Sequence, residues 1–360
     1  MAEKNVTIYG AGMSGLVAAI NLAREGYAVR VHEREPAYGG SRIFNPSLHM
    51  TPLDVDETSN YLGIDISSAF LPLTELIAYF HDRPVGFPVK GIYAVERGDR
   101  PGSLDTLLYH QCLALGVEFV WNSRLDKQQL DHLPPHTIIA CGMDPATYRL
   151  MGIPHMIWEA WISFGPTDLD TLTWAWMDEG INEYGYMTTA NGMYFDMLFA
   201  MGQPVSKACL HKYQDFMLRI KGQEHKDWKY ATGANPLGTW KQPRLSYGDA
   251  VLCGTISGTL DPMMGFGISG ALVSGKVAAL AITDPARAEA DFKRFTRMYR
   301  YGYIFKKYIW WKLFRPYVGM MEMGIRILGA DNIERVARRA VEERKYCPPI
   351  IPGFNFLGCN

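Results

Sequence analysis

A mixed α/β fold, with one parallel sheet, one antiparallel sheet and a helical C-terminal region, follows from three features of the sequence. The first is the run VTIYGAGMSGLVAAINLAREGYAVRVHERE, Val6 to Glu35, whose pattern is strand, glycine turn, helix, strand and terminal acid. The second is a block from Ile157 to Ala200 in which aromatic residues recur along short strand-like runs. The third is another glycine-rich strand, loop and helix from Tyr247 to Ile282, far from the first in the chain. Together they predict a Rossmann-like dinucleotide-binding domain, a sheet domain for a substrate, and a helical tail.

The first unit contains a complete GxGxxG, Gly10, Gly12 and Gly15. Gly10 permits a tight turn, Gly12 lets a pyrophosphate approach the backbone, and Gly15 lets the helix pack on the strand. The helix start then faces the phosphates. Gly26 ends the helix, and the apolar run Tyr27 to Val31 has the character of a buried parallel strand. Glu33 closes it, roughly 20 residues past the glycine turn, where an acid accepts hydrogen bonds from the ribose hydroxyls of an adenosine. Arg34 opens the polar turn REPAYGGSR, which holds Gly39 and Gly40 side by side and ends at Arg42.

Composition narrows the function. With 360 residues the chain can hold more than one domain, and 48% hydrophobic residues is ordinary for a globular protein. A formal net charge of -1 offers no field for nucleic acid. The fingerprint begins five residues in, so no secretory signal peptide is expected and the cytoplasm is the expected location. Six scattered cysteines contain no CxxC pair, which argues against a zinc ribbon or a redox dithiol. The apolar stretch Ala250 to Ile282 carries Asp261, Lys276 and many glycines, unlike a membrane span.

Between the glycine-rich units the rhythm changes. Asn45 to Phe87 departs from the strand-helix alternation and is assigned to an excursion into a second domain, with His49 near its start. Lys90 to Val95 has strand character with Arg97 at its end, Ser103 caps a helix starting near Leu104, and Val117 to Trp121 and Thr137 to Ala140 supply strands that return to the first sheet. In the aromatic block, Asn191 and Gly192 form a hairpin signal. Two or three of its rings are expected to line an apolar substrate pocket, with Trp176, Tyr186 and Tyr194, together with His49, as candidates. Val205 to Lys221 has a helical period, and Gly222 to Tyr247 is a polar return. The domain boundaries expected are 1–50, 85–150 and 240–285 for the dinucleotide domain, 51–84 and 151–239 for the substrate domain, and 286–360 for the helical region.

Read whole, from Val6 to about Ile282, the chain resembles the flavoprotein superfamily of geranylgeranyl reductases and p-hydroxybenzoate hydroxylase-like monooxygenases. The motifs that carry the resemblance are GAGMSG with Glu33, VERGDRPGSLDTLL, IIACGMDPATYRLMGIP and GDAVLCGTISGTLDPMMGFGISGAL. It implies FAD as cofactor. Arg34, Gly40, Arg42, Arg97 and Gly142 would contact the dinucleotide, and Asp249 would bind its ribityl chain. The loop from Pro262 through Gly265 to Gly267 would lie beside the isoalloxazine ring, with the following helix start stabilising negative charge on the reduced ring. Two departures stand out: Cys141 precedes Gly142 where the family carries Asp-Gly, and EYGYMTT is a loose relative of the reductases' substrate motif.

No second dinucleotide-binding unit is read in the chain, so electrons would come from docked NAD(P)H, from a reductase or ferredoxin partner, or from the substrate. The activity expected is reduction of a carbon-carbon double bond in a bulky apolar, prenyl or lipid-like substrate. Hydroxylation of an aromatic or polyketide-like compound by a flavin monooxygenase is the alternative, and a flavin-binding protein without turnover is another. The catalytic proton donor is not identified. The basic, aromatic stretch 291–314 either packs its rings on the body or lies on a membrane surface.

Overall fold

The computed structural model describes residues 4–236, 242–262, 264–297 and 299–335. The predicted parallel sheet is present, with strand order Ser246–Tyr247, Ala250–Leu252, Thr137–Ile139, Asn5–Tyr9, Ala28–His32 and Glu118–Val120. Asn5–Tyr9 is central, pairing in parallel with Ala28–His32 and Thr137–Ile139, and is buried on both faces, through Val6 and Ile8 on one and Tyr9 on the other. Only the outermost pair, Ser246–Tyr247 with Ala250–Leu252, is antiparallel.

Two helices cross on one face of this sheet. Met13–Arg24 is buried from Met13 through Leu22, and Ile268–Thr283 from Ile268 through Gly275. Their small residues let the backbones touch: a Cβ on Gly275 would lie 2.5 Å from the Ser14 carbonyl oxygen. The two glycine-rich units, distant in sequence, therefore pack on each other.

The second sheet has seven strands, ordered Lys229–Pro236, His155–Pro166, Met193–Met201, Gly185–Ala190, Leu172–Met177, Glu75–Phe80 and Arg83–Gly86. Asn191 and Gly192, both at positive φ, make the predicted two-residue hairpin turn. One pair is parallel rather than antiparallel, Glu75–Phe80 beside Leu172–Met177. Lys229–Pro236 was not legible within the polar return; KYATGANP is small and alternates weakly, yet pairs along its length with His155–Ile162. One face of the sheet is covered by Lys207–Lys221, through Cys209, Leu210, Tyr213, Phe216 and Met217.

A three-stranded sheet joins the halves. Ile92–Arg97 pairs with Ser47–Pro52 and with Phe70–Pro72, so it does not enter the parallel sheet as the sequence had led us to expect. Its pairing there runs from Ile92 opposite Pro52 to Arg97 opposite Ser47. The helical C-terminal region runs through Pro285–Thr296, Tyr299–Phe305, a π-helical segment Lys306–Phe314 and Val318–Leu328. It is tied to the seven-stranded sheet by a buried Lys306–Glu183 ion pair at 2.7 Å and by His81, whose Nδ1 lies 3.0 Å from Glu322. The irregular end CPPIIPGFNFLGCN lies outside the described residues.

A candidate cofactor and substrate cleft

A single cleft of about 430 Å³ runs from the glycine turn to the open face of the seven-stranded sheet. At one end the three glycines divide their work. A Cβ on Gly10 would sit 2.4 Å from the Ala140 carbonyl oxygen, and one on Gly15 would sit 2.0 Å from the Gly10 carbonyl oxygen; at Gly12 nothing lies within 4 Å. Gly10 and Gly15 are thus required by the protein's own packing, whereas Gly12 leaves space on the cleft side.

Glu33 is buried at this end. Its Oε2 accepts from the Ala11 amide at 2.7 Å and its Oε1 from the Glu35 amide at 3.0 Å. Arg34 pairs with Asp144 at 2.8 Å, Gly40 and Gly142 hold positive φ, and all three line the cleft. Arg97 also lines it, held by Asp105 through Nε at 2.7 Å and Nη2 at 2.9 Å. Cys141 replaces the acid at the cleft wall; burial pushes its thiol up to about 12, so it is a neutral neighbour rather than a thiolate.

Two helix starts open on the cleft without a side-chain cap. Gly12 precedes Met13–Arg24 and Gly267 precedes Ile268–Thr283, and neither can supply a side-chain acceptor. The helices after Asp54, Ser103, Ser206 and Asp284 are each capped by that residue's side chain. The uncapped pair keep free backbone N–H groups and positive dipole ends at the cleft, a site for negative charge at each.

The sheet end is a chamber of rings and thioethers. Trp158, Tyr184, Tyr186 and Phe199 line it, with Met197 and Met201. Tyr184 is fixed by its hydroxyl, which donates to the Met264 carbonyl. His49 lies in the wall, with Nδ1 2.9 Å from the Tyr186 hydroxyl and Nε2 3.0 Å from Ser47 Oγ. Burial, reinforced by the Arg97 charge, lowers the His49 imidazole to about 3, so it is neutral at ordinary pH.

Five residues selected from the sequence fall elsewhere. Asp249 is exposed in the turn between Ser246–Tyr247 and Ala250–Leu252; it stands at the opening of that strand as expected, but the strand delivers Gly254 and Thr255, at its far end, to the cleft instead. Arg42 is exposed in a short 3-10 turn and does not line the cleft, where Arg97 does. Pro262 faces a neighbouring small cavity with Trp311 and Met201, although Gly265 and Gly267 of the same loop line the main cleft. Trp176 packs on Tyr213 and Phe216, and Tyr194 stacks on His225 at 3.8 Å, both on the helix-covered face of the sheet. Accordingly, Asp249→Ala is expected to leave cofactor retention unchanged, measured as the flavin-to-protein absorbance ratio after gel filtration. Loss of colour would return Asp249 to the site.

Comparison with known proteins fits this geometry. Residues 8–46 match the model of an NAD(P)-binding Rossmann-like domain. A geranylgeranyl bacteriochlorophyll reductase-like protein from Thermoplasma acidophilum superposes with a TM-score of 0.64 at 15% identity, covering 99% of this chain and 95% of that one. p-Nitrophenol 4-monooxygenase PnpA from Pseudomonas putida superposes with a TM-score of 0.63 at 12% identity, covering 95% and 98%. The chain shares the fold of these two proteins. In sequence, flavin-containing monooxygenase FMO GS-OX2 of Arabidopsis thaliana is 45% identical over 58 residues, 16% of this chain and 13% of the relative. The chain spans between 12% and 32% of the length of the first curated relatives it matches. The family model's match, residues 8–46, holds the dinucleotide fingerprint.

Proposed function

We propose that this flavoprotein-fold chain binds FAD along the cleft and reduces a carbon-carbon double bond in a bulky apolar substrate held in the aromatic chamber. The observation that carries the reading is the continuity of one cleft: two uncapped helix starts suited to negative charge, then an apolar chamber directly beyond them. Gly12 and the helix start at Met13 would hold the pyrophosphate, Glu33 the adenosine ribose, and Gly265, Gly267 and the helix start at Ile268 the flavin ring. Bound and first reduced by an external donor such as NAD(P)H or a partner reductase, the flavin would supply the hydride.

The chain's own contribution is apolar enclosure and a proton. Trp158, Phe199 and the methionines exclude water and grip an apolar body without directional demands. The proton is assigned to Tyr186. A neutral imidazole donates from one nitrogen and accepts at the other. With Ser47 donating to His49 Nε2 and His49 Nδ1–H donating to the Tyr186 oxygen, the Tyr186 O–H is free to point at substrate; each proton it gives would be replaced through His49 and Ser47 from water entering the cleft at Ser47. Burial raises the Tyr186 hydroxyl above its ordinary range, so it is kept protonated until a carbanionic centre develops beside it.

The test is anaerobic. Protein reduced with dithionite is mixed under argon with a panel of prenyl alkenes while the flavin absorbance is followed. Reoxidation without oxygen, together with a saturated product, is the expected result. Tyr186→Phe should retain flavin and slow that step by about 10²- to 10⁴-fold, the usual worth of a positioned general acid. Turnover that requires oxygen and yields a hydroxylated product would overturn the reductase in favour of a monooxygenase, and a protein that cannot be loaded with FAD would overturn both.

A further inference from the structure

The C-terminal helices present an apolar, basic surface. Of the 16 exposed large hydrophobic residues among those described, nine lie between Tyr301 and Leu328. Val318–Leu328 shows how this arises. Val318 and Ile325 are buried against the body, whereas Met320, Met323 and Ile327 follow one another at helical spacing on the outward face, Ile327 being 77% exposed. A helix that docks by one apolar stripe ordinarily shows water a polar one. Here both faces are apolar.

Charge is equally concentrated. Residues 297–328 carry seven lysines and arginines and one acid, Glu322, in a chain whose overall net charge is -1. Lys306 is consumed by its buried pair with Glu183, and Glu322 by His81 and Arg326. Lys307 and Lys312 are exposed and flank the exposed ring of Tyr308, which lies 5.5 Å and 5.3 Å from their ammonium nitrogens. Aromatic rings set between lysines are suited to the boundary between lipid head groups and acyl chains.

We propose that this surface, centred on Tyr308, Leu313, Met320, Met323 and Ile327, docks the protein on an anionic lipid bilayer. The cations answer the lipid phosphates and the methionines and isoleucine enter the acyl boundary. No helix among the described residues is long and apolar enough to cross a membrane, so the contact is with one leaflet. The surface adjoins the cleft: behind it Trp311 and Met201 line a small cavity, and Met201 also lines the chamber. Docking does not rest on the reaction proposed above, and its test uses no turnover.

The full chain is mixed with vesicles of phosphatidylcholine alone, or of phosphatidylcholine with phosphatidylglycerol, and floated on a density gradient. The expected result is flotation with the anionic vesicles, weakened by raised salt, and little with the neutral ones. Met323→Glu/Ile327→Glu and, separately, Lys307→Glu/Lys312→Glu should each cut the floated fraction at least several-fold while circular dichroism is unchanged. No flotation with anionic vesicles, or flotation indifferent to both variants, overturns the proposal. So does concentration-dependent self-association of the lipid-free protein that Met323→Glu/Ile327→Glu abolishes, since the face would then belong to a second copy.

Discussion

Gly12→Ala is expected to weaken flavin binding by one to two orders of magnitude while leaving the fold intact. The position has φ of -78 and ψ of 174, open to any L-residue, and a Cβ there meets nothing within 4 Å. Stability of the cofactor-free protein should therefore change by no more than about 0.5 kcal/mol. In the proposed binding mode the added methyl group would occupy the space through which a pyrophosphate reaches the helix start, and a forced overpacking of roughly 1–3 kcal/mol corresponds to a loss of about 5- to 150-fold in affinity. Gly15→Ala separates the two roles. Its Cβ would lie 2.0 Å from the Gly10 carbonyl oxygen, so the apo protein itself should melt earlier. Thermal unfolding of both apo variants, with flavin titration of each, reads the difference; equal melting losses would show that Gly12 is structural after all.

Asp105→Ala carries the largest expected cost to stability. Asp105 is fully buried and accepts from Arg97 twice and from the Gly98 amide at 3.2 Å. The arrangement raises the Arg97 guanidinium against the opposing effect of its burial. Removing the carboxylate strands a buried cation and an amide together, a loss of roughly 3–5 kcal/mol by comparison with other buried pairs. Denaturant unfolding measures it. The double variant Arg97→Met/Asp105→Ala should recover a good part of the loss, because it removes the stranded charge. Recovery of stability without recovery of flavin binding would assign Arg97 to the cofactor as well as to the fold.

How much of this was written in the sequence depends on the length scale of the signal. The fingerprint was legible because each glycine meets a constraint within a few residues of itself, or across one strand. The error at Asp249 came from the same kind of reading. The dipeptide Gly248-Asp249 sits in a glycine-rich run whose strand is only Ala250–Leu252, and a local pattern does not say on which side of three residues the cleft lies. Thr255 and Gly254, at the strand's other end, carry no charge to advertise them.

The aromatic sheet teaches something different. A two-residue turn at Asn191 and Gly192 pairs Tyr186 with Met197 and Thr189 with Tyr194. Even-numbered residues of one strand then share a face with odd-numbered residues of the next, so Tyr186 and Tyr194 cannot both line the chamber. That exclusion was available from the hairpin alone. Trp176 could not be excluded so simply, since its register with Gly185 rests on a longer connection. The Ser47, His49, Tyr186 chain was beyond reach for a further reason: it joins residues 137 positions apart through a strand, Ser47–Pro52, that no periodic pattern distinguishes.

The packing of Gly275 against Ser14 also sets an order of events during synthesis. The ribosome makes the fingerprint first, yet the strand Ala250–Leu252 beside Thr137–Ile139 and the helix that covers Met13–Arg24 emerge only after the whole substrate sheet. Until Ile268–Thr283 is released, the nascent chain holds one half of a nucleotide site with its apolar flank uncovered. Contacts this distant in sequence form slowly and leave exposed surface for chaperones meanwhile. Capture of a cofactor in this cleft would therefore be a late step, and a fragment ending before Ile268 would display the complete glycine signature without the helix that packs on it.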